Sequence, residues 1–185
     1  ESVVCETETE QQWTGQVSAG MVPASTRGYR GRRVVKTMGG TVGGHVGRGS
    51  DEVRVPGGNL LGEGGKGFTI AQKRLGPGRI FHCMRWVGQA QRAFELMCNY
   101  AGKRYAHGSL LSEKGEIQRY IAESAAEIQA ARLMTLDAAR VMDSGDDARV
   151  QIALIKFWGA RMLHNVIDRA IQVHGALGVT EDTPL

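Results

Sequence analysis

The stretch from Arg54 to Arg79, RVPGGNLLGEGGKGFTIAQKRLGPGR, divides the sequence into two parts of different composition. Before it, the chain is rich in Gly and Arg and shows no hydrophobic period. After it, apolar residues recur at the three- and four-residue spacing of amphipathic helices. This change predicts a mainly α protein, with a small β-type segment at residues 1–62 and a helical bundle at residues 63–185.

The composition limits the classes of function. A chain of 185 residues with 42% hydrophobic residues can bury a core. The net charge of +4 is mild, and Lys and Arg alternate with Glu and Asp on predicted helix faces, so we expect no nucleic-acid partner. Three cysteines without a CxxC pair indicate a reducing compartment, either the cytoplasm or an organelle matrix. No apolar run reaches the roughly 18 residues of a membrane span.

Short strands are expected in the first 53 residues. Met21-Val22-Pro23 and Arg33-Val34-Val35-Lys36 are candidates, and the glycines from Gly39 to Gly49 exclude a stable helix there. The alternation from Asp51 to Val55 predicts a strand that ends in a turn at Pro56. Such strands are marginal alone, so the segment is expected to start poorly ordered and to belong to a sheet with strands outside this chain.

A glycine pattern follows the turn. Gly62, Gly64 and Gly67 satisfy the spacing G-x-G-x-x-G. A dinucleotide fold would need a βαβ unit and an acidic residue about 20 positions later, whereas helices follow here. The pattern is not a P-loop either, because Lys66 precedes Gly rather than Ser or Thr. We interpret it as a flexible segment before a helix.

The first long helix is predicted in two pieces. It runs from Phe68 to Leu75 and breaks at Gly76-Pro77-Gly78. It then restarts with Pro77 in its first turn, where a missing N–H costs nothing, and continues to near Lys103.

Two further helices are predicted. One begins near Ser112 and ends at Gly145, and the next begins at a capping pattern, Ser144 to Asp147, and stops at Gly175. The apolar stripe of the earlier one comprises Ile117, Ile121, Ile128, Ala131, Thr135, Ala138 and Met142. The stripe of the later one comprises Val150, Leu154, Phe157, Arg161, His164, Ile167 and Ile171. The apolar stripes of three such helices indicate a fourth helix, with its first turn at Thr183-Pro184-Leu185. We therefore expect a four-helix bundle that lacks its last helix.

Several spaced motifs resemble the acyl-CoA dehydrogenase family of flavoproteins. They are VRVPGGNLLGEGGKGF, RLGPGR, Arg104 with Gly108 after it, IAES at Ile121 to Ser124, and IQVHGALGVTEDTPL. The resemblance covers residues 54–185 closely and residues 1–53 loosely. LGPGR and IQVHGALGV are most similar to the branch of dehydrogenase modules fused to phosphotransferase-like domains.

The resemblance implies a fold with a middle β-domain and a C-terminal four-helix bundle. This chain would hold the tail of the β-domain and the larger part of the bundle. It implies FAD as cofactor, an acyl-CoA thioester as substrate in fatty acid metabolism, and α,β-dehydrogenation as reaction. It also implies a homotetramer built as a dimer of dimers, with an electron-transfer flavoprotein or a similar acceptor as partner.

The catalytic base is the decisive residue of such an enzyme, because a carboxylate must remove the α-proton. In most of the family it lies beyond the position that matches Leu185. A minority branch places a Glu immediately before the residue that matches Arg79, and this sequence has Gly78 there. We therefore expect no catalytic residue and no turnover from this chain alone.

The resemblance implies several cofactor contacts, and this sequence matches the family at some of these positions but not at others. Arg104 matches the residue that pairs with the pyrophosphate of the partner subunit's FAD, a task that suits a planar guanidinium. His107 stands where a Phe near the flavin is usual, and Gly115 where a Gln near the adenine is common. Arg79 is expected to line or brace the acyl pocket.

The Q-x-x-G-G-x-G loop of the family is matched at Gln172, Gly175 and Gly178, with Ala176 in place of the second Gly. Its glycines would let the backbone approach the cofactor. Taken from the residues alone, Gly175 is first of all a helix C-cap.

The remaining polar residues favour structural roles. No metal site is expected, because the histidines lack further ligands at metal spacing; they are His45, His82, His164 and His174. Cys83 and Cys98 are expected in the core, and Asp168-Arg169 with Glu123 in ion pairs. Trp86 and Trp158 are expected to anchor the packing.

Two main functions remain open. The first is a fragment of an FAD-dependent acyl-CoA dehydrogenase. The second is a non-catalytic helical oligomerisation module, a truncated or decayed relative. A flavin oxidase or monooxygenase on the same fold is a weaker third option.

Overall fold

The structure is a computed structural model that describes residues 2–6, 17–37 and 40–185. The chain divides into two compact units, residues 1–74 and residues 75–185. The expected poor order of the start falls partly on residues 1 and 7–16, which lie outside the described residues.

The described residues of the first unit form five strands. They are β1 (Ser2–Glu6), β2 (Val17–Met21), β3 (Tyr29–Thr37), β4 (Gly40–Ser50) and β5 (Leu60–Leu61). An antiparallel sheet has the order β1-β2-β5, in which Ala19 lies opposite Val4 and Leu61. Strands β3 and β4 form a separate antiparallel hairpin, with Val34 opposite Val46.

Two strand predictions need correction. Strand β2 ends at Met21, and Val22 is a buried residue just after it. No strand forms over Asp51 to Val55, because Glu52 has φ 46° and therefore leaves the extended conformation. The predicted strand at Arg33 to Lys36 is present within β3.

The glycine pattern allows close contact between β2 and the helix that follows the pattern. A Cβ on Gly67 would lie 2.6 Å from the carbonyl carbon of Ser18. The N–H of Gly65 donates a hydrogen bond of 2.9 Å to the Ser18 hydroxyl. The pattern does precede a helix, as interpreted, and these contacts hold Gly65 and Gly67 against β2.

Helix α1 runs without interruption from Gly67 to Ala101, so the predicted break at Gly76-Pro77-Gly78 is wrong. Pro77 lies inside the helix and donates no backbone hydrogen bond. Gly76 explains how this turn packs, since a Cβ there would lie 3.1 Å from Met142 Cε and 3.7 Å from Ile152 Cδ1.

Helix α2 runs from Gly115 to Asp143, and its buried residues are Ser124, Ile128, Ala131, Thr135 and Ala138. It begins later than predicted, because Lys114 is extended with ψ 127°. Gly145 adopts φ 84°, and its N–H bonds to the Met142 carbonyl, as expected for a residue that ends a helix.

Helix α3 runs from Arg149 to His174. The predicted capping pattern is wrong, because Ala148 occupies the N-cap and Ser144 bonds to the Val141 carbonyl instead. The Asp147 carboxylate does accept the Arg149 N–H at 3.1 Å, and hydrogen bonds from Arg149 hold the pKa of Asp147 below its usual range.

The apolar stripe predicted for α3 is also wrong. The buried residues of α3 lie on its opposite side and are Ile152, Ile155, Gly159, Met162, Val166, Ala170, Val173 and His174. This side joins α1 and α2 in one core, with Val87, Met97 and Ile128 among its members. Trp86 and Trp158 pack against the core as predicted, and Cys83 is 1% exposed.

The predicted ion pair between the helices forms around Arg169. Its guanidinium contacts Glu123 at 2.8 Å and Glu127 at 3.0 Å. Asp168 is exposed and forms no ion pair within the described part of the chain. A short 3₁₀ segment, Gly175–Val179, follows α3, and Thr183 to Leu185 do not form the predicted helical turn.

Candidate functional site

A cleft of about 540 Å³ lies in the helical unit, between the end of α1 and the turn after α3. Its lining combines two cationic side chains with aromatic and aliphatic ones. The lining residues are Leu96, Asn99, Tyr100, Lys103, Arg104, His174 and Leu177.

The end of α1 positions the backbone of the two cationic residues. The carbonyl of Tyr100 accepts hydrogen bonds from the N–H groups of Lys103 at 3.1 Å and Arg104 at 2.9 Å. The Arg104 carbonyl then accepts the N–H of Leu111, which lies just after a small hairpin. The strands of this hairpin are β6 (Tyr105–Ala106) and β7 (Ser109–Leu110). Positive side chains are favoured at a helix C-terminus, so the dipole of α1 stabilises the positive charges of Lys103 and Arg104.

An aromatic pair forms one wall of the cleft. The rings of Tyr100 and His174 stack with centroids 4.3 Å apart and planes inclined by 27°. His174 is 8% exposed, and its Nδ1 lies 2.8 Å from the Ala170 carbonyl. Because a carbonyl only accepts, Nδ1 bears a proton, and a neutral ring then keeps Nε2 as an acceptor.

Sequence reasoning missed His174 as a site residue and treated it as one of several histidines without ligand partners. A useful signal was available, since His174 directly precedes the residue that ends α3. Its ring partner, Tyr100, lies on another helix and could not be inferred from spacing.

The turn after α3 explains the glycines of the predicted loop. Gly175 has φ 63° and ends the helix. A Cβ on Gly178 would lie 2.5 Å from the Ile171 carbonyl oxygen. Leu177 lines the cleft, and its carbonyl accepts hydrogen bonds from the hydroxyl groups of Thr180 at 2.8 Å and Thr183 at 3.1 Å.

The other predicted loop residues lie outside the cleft lining. Gln172 and Ala176 are exposed, and so is His107, which has φ 51° in the turn between β6 and β7. The His107 carbonyl accepts the Lys114 ammonium at 2.9 Å. Gly115 is the exposed first residue of α2.

Arg79 and Gly78 are half-buried in α1, and neither belongs to the cleft lining. The structure thus brings Arg104 together with the turn after α3, and leaves the remaining predicted site residues apart from them.

No residue that lines the cleft carries a carboxyl group. Lys103 and Arg104 also form no ion pair with any residue in the described ranges. Two cations that face a cleft without a counterion can bind an anion, and the aromatic wall can contact a planar or apolar group beside it. The cleft therefore suits a phosphate-bearing ligand.

Two further observations apply to the described residues alone. No group of three or more His, Cys, Asp or Glu side chains is placed to hold a metal ion. None of the helices described combines the length and apolarity that a bilayer crossing requires.

Comparison with known proteins defines the class of this domain. Residues 65–185 match the family model for the C-terminal domain of acyl-CoA dehydrogenases. The chain belongs to the acyl-CoA dehydrogenase family.

Individual relatives agree with this assignment. FadE2 of Mycobacterium tuberculosis, named as an acyl-CoA dehydrogenase, is 55% identical over 135 residues, which are 72% of this chain and 33% of that protein. Acyl-CoA dehydrogenase family member 11 of Rattus norvegicus is 43% identical over 170 residues, which are 89% of this chain and 22% of that protein. The chain therefore spans a third or less of the length of these relatives.

A solved structure agrees as well. Butyryl-CoA dehydrogenase from Megasphaera elsdenii superposes with a TM-score of 0.92 at 27% identity, over 99% of this chain and 48% of that one. The mainly α fold with short sheets, predicted as an acyl-CoA dehydrogenase helical domain after a β segment, is confirmed.

Proposed function

We propose that this chain is a fragment of an FAD-dependent acyl-CoA dehydrogenase, and that its cleft holds the diphosphate part of FAD. The observation that supports this most is the cleft itself, in which Lys103 and Arg104 face the turn after α3 without a counterion among the described residues. The reaction is the α,β-dehydrogenation of an acyl-CoA thioester in fatty acid metabolism. When bound, the flavin supplies the acceptor for the hydride that leaves the β-carbon.

The residues present fit this cofactor. A diphosphate carries the charge that two cations require, and a guanidinium can donate two parallel hydrogen bonds to it. The stacked rings of Tyr100 and His174 offer an apolar wall next to those cations. Gly175, Ala176 and Gly178 would contribute backbone groups, and Gln172 and His107 would contact the cofactor from outside the cleft lining.

The chain's own part in the reaction is binding and orientation. No cleft-lining residue can take a proton from the substrate as a carboxylate, and Gly78 cannot do so at the alternative position. Arg79 would line or brace the acyl pocket. We therefore expect the purified 185-residue chain to reduce no dye in the presence of an acyl-CoA, and measurable reduction would contradict this.

The proposal extends to the organisation of the protein. Residues 1–62 would derive from a middle β-domain and residues 63–185 from a four-helix bundle without its last helix. The assembled protein would be a dimer of dimers that passes electrons to an electron-transfer flavoprotein or a similar acceptor, in the cytoplasm or an organelle matrix.

Calorimetric titration tests the cleft. FAD and ADP are titrated into the purified chain and into the variants Arg104→Gln and Arg140→Gln. Arg104→Gln should weaken binding of both ligands at least about tenfold, because a hydrogen bond to a charged group contributes about 1.5–3 kcal/mol. Arg140 is an exposed partner of Asp137 on α2, so its variant should bind normally. Equal affinities for the two variants would contradict the phosphate role.

The second candidate function is a non-catalytic oligomerisation module. It is favoured by the apolar outer side of α3, where Val150, Leu154 and Phe157 are 67%, 48% and 58% exposed. Visible absorption distinguishes the two functions. A flavin spectrum that survives desalting supports the dehydrogenase fragment, and a colourless chain supports the module.

A further inference from the structure

One face of the hairpin of β3 and β4 carries arginines from one strand and glycines from the other. Arg30 lies opposite Gly49, and Arg33 lies opposite Gly47. Alternate residues of a strand point to the same face, so these two glycines share a face with the arginines opposite them. We call the face formed by Arg30, Arg32 and Arg33 over the two glycines the arginine face.

A β-bulge places Arg32 on this face as the third arginine. The register shifts between Gly31 and Arg33, so Arg32 is an extra residue of β3. A Cβ on Gly49 would lie 2.5 Å from Arg32 Nε. A Cβ on Gly47 would lie 3.7 Å from Arg33 Cγ. The glycines thus leave the space that the two arginine side chains occupy, and two neighbours in sequence point to one side of the hairpin.

The arginine face has no counterion in the part of the chain that the structure describes. Arg30, Arg32 and Arg33 are all exposed. None of them forms an ion pair with a residue in the described ranges. Like charges repel each other, so three neighbouring arginines without a carboxylate favour the binding of an anion.

The positive surface continues at the base of the hairpin. A cavity of about 690 Å³ is lined there by Arg27, Arg30 and Arg54, together with Asp51 and Glu52. The three arginines form no ion pair with the two carboxylates. Arg30 belongs both to this cavity and to the arginine face, and the arginines of the two together outnumber the carboxylates, so the combined surface is positive.

We propose that the arginine face binds the surface of a bilayer that contains anionic phospholipids. A guanidinium donates paired hydrogen bonds to phosphate oxygens, which every phospholipid headgroup carries. Each Lys or Arg near an anionic bilayer raises binding about fivefold, so three arginines raise it about a hundredfold. The contact involves no residue of the cleft in the helical unit, and the proposal therefore goes beyond the proposed function.

The residues of the arginine face favour a bilayer over other polyanions. Single-stranded nucleic acids stack their bases on aromatic side chains, and this face consists of arginines and glycines. A protein partner would need a large aromatic or apolar anchor at the centre of the contact, where Gly47 and Gly49 stand instead. A bilayer requires only a flat positive surface, and residues without side chains keep the hairpin flat between the arginines.

Vesicle flotation tests the proposal. The purified chain is mixed at low salt with phosphatidylcholine vesicles that either contain or lack phosphatidylserine. The chain should float only with the phosphatidylserine vesicles, and high salt should release it because salt screens exposed charges. A chain that does not bind phosphatidylserine vesicles at low salt would overturn the proposal. So would a chain that binds an oligonucleotide but no vesicle, since the face would then serve a nucleic acid.

A triple variant assigns the binding to the arginine face. Replacing Arg30, Arg32 and Arg33 together by Gln should weaken binding to phosphatidylserine vesicles about a hundredfold. The matched control removes the same charge from the helical unit, at three exposed positions of α1 and α2. Its substitutions are Arg85→Gln, Arg92→Gln and Arg140→Gln. The control should bind like the original chain, and equal losses in the two triple variants would mean that net charge alone drives binding.

Arg48 provides a further control inside the hairpin. It stands between two residues of the arginine face in β4, so its side chain points to the opposite face. There its guanidinium lies 5.6 Å from the centroid of the Tyr29 ring. Arg33→Gln should weaken vesicle binding about fivefold and Arg48→Gln less, because Arg48 faces away from the bilayer. Circular dichroism verifies that each variant is folded, and this single pair decides the question if the triple variant unfolds. A loss at Arg48 that equals or exceeds the loss at Arg33 would contradict the proposal.

Discussion

The backbone around Gly178 leaves no room for a side chain. This close packing explains why a glycine stands at this position, whether or not a ligand binds nearby. A Cβ there would lie 2.5 Å from the Ile171 carbonyl oxygen and 3.0 Å from its Cα, both backbone atoms that cannot move alone. We predict that Gly178→Ala lowers the free energy of unfolding by about 1–3 kcal/mol, as overpacking does. Urea unfolding measures the change.

Gly88→Ala is the matched control for this substitution. Gly88 lies on the exposed side of α1, and a Cβ there would meet no atom within 4 Å. Alanine favours the helix over glycine by about 1 kcal/mol, so this variant should gain stability. If both variants lost stability equally, the close contact at Gly178 would not be the cause.

Burial raises the pKa of the Cys83 thiol, and Lys156 opposes this only in part. A raised pKa in the folded chain means that deprotonation favours unfolding. The Cys83 thiol therefore lowers the stability of the fold as the pH rises above about 8.5, the ordinary pKa of a cysteine.

We predict that the native chain reacts quickly with a thiol reagent at the exposed Cys5 and slowly at the buried Cys83. Mass spectrometry of the labelled peptides would identify each site, and equal rates would contradict the prediction.

Some residues in and around the candidate cleft stand in local sequence patterns, and others do not. Arg104 and Gly175 stand in short local patterns, and the structure places both at the ends of helices. His174 and Tyr100 meet only because α1 and α3 pack together, which no local pattern encodes. His107 was predicted from a matching position, but its backbone faces Lys114 in a hairpin turn.

At the scale of helices, two predictions failed because local signals compete with packing. Gly76-Pro77-Gly78 predicts a break, yet α1 continues because α2 and α3 pack closely against this turn. For α3, periodicity predicted the stripe that begins at Val150 as the core side, whereas the structure buries the opposite side. The core side combines large residues such as Ile155 and Met162 with Gly159, where a Cβ would lie 3.2 Å from the Trp86 ring, so close packing against α1 selects this side.

The ion pairs between α2 and α3 should contribute more to the free energy of unfolding than the ion pairs at the surface. Arg169 is 14% exposed and Glu127 is 20% exposed, and a second oxygen of Glu127 is buried without a partner among the described residues. Arg169→Met would leave the Glu127 carboxylate with no cation, whereas Glu123 would keep its ion pair with Arg119, and we predict a loss of about 2 kcal/mol. Thermal and urea unfolding would measure it.

The surface pair of Arg140 and Asp137 provides the comparison. Its side chains are 74% and 50% exposed, so water screens the interaction. Arg140→Met should change stability by less than about 0.5 kcal/mol. A loss at Arg140 as large as the loss at Arg169 would show that burial does not set the contribution of these pairs.

At the scale of the whole molecule, the two units differ greatly in their cores. In the described residues of the first unit, the buried hydrophobic residues are Ala19, Val22 and Tyr29. The helical unit buries many more, including Met97, Ile155 and Val166. Because buried apolar area is the main source of stability, the first unit should unfold at a lower temperature than the second.

Calorimetry should therefore show two transitions, and one truncation in each unit assigns them. Val22 is 7% exposed and Val166 is 0% exposed, so Val→Ala removes the same atoms from each core. Val22→Ala should lower only the first transition and Val166→Ala only the second, each by the several degrees that about 1–2 kcal/mol produces in a domain of this size. A single transition that both variants shift equally would mean that the β unit unfolds together with the helices, and that its own small core does not define a separate unfolding step.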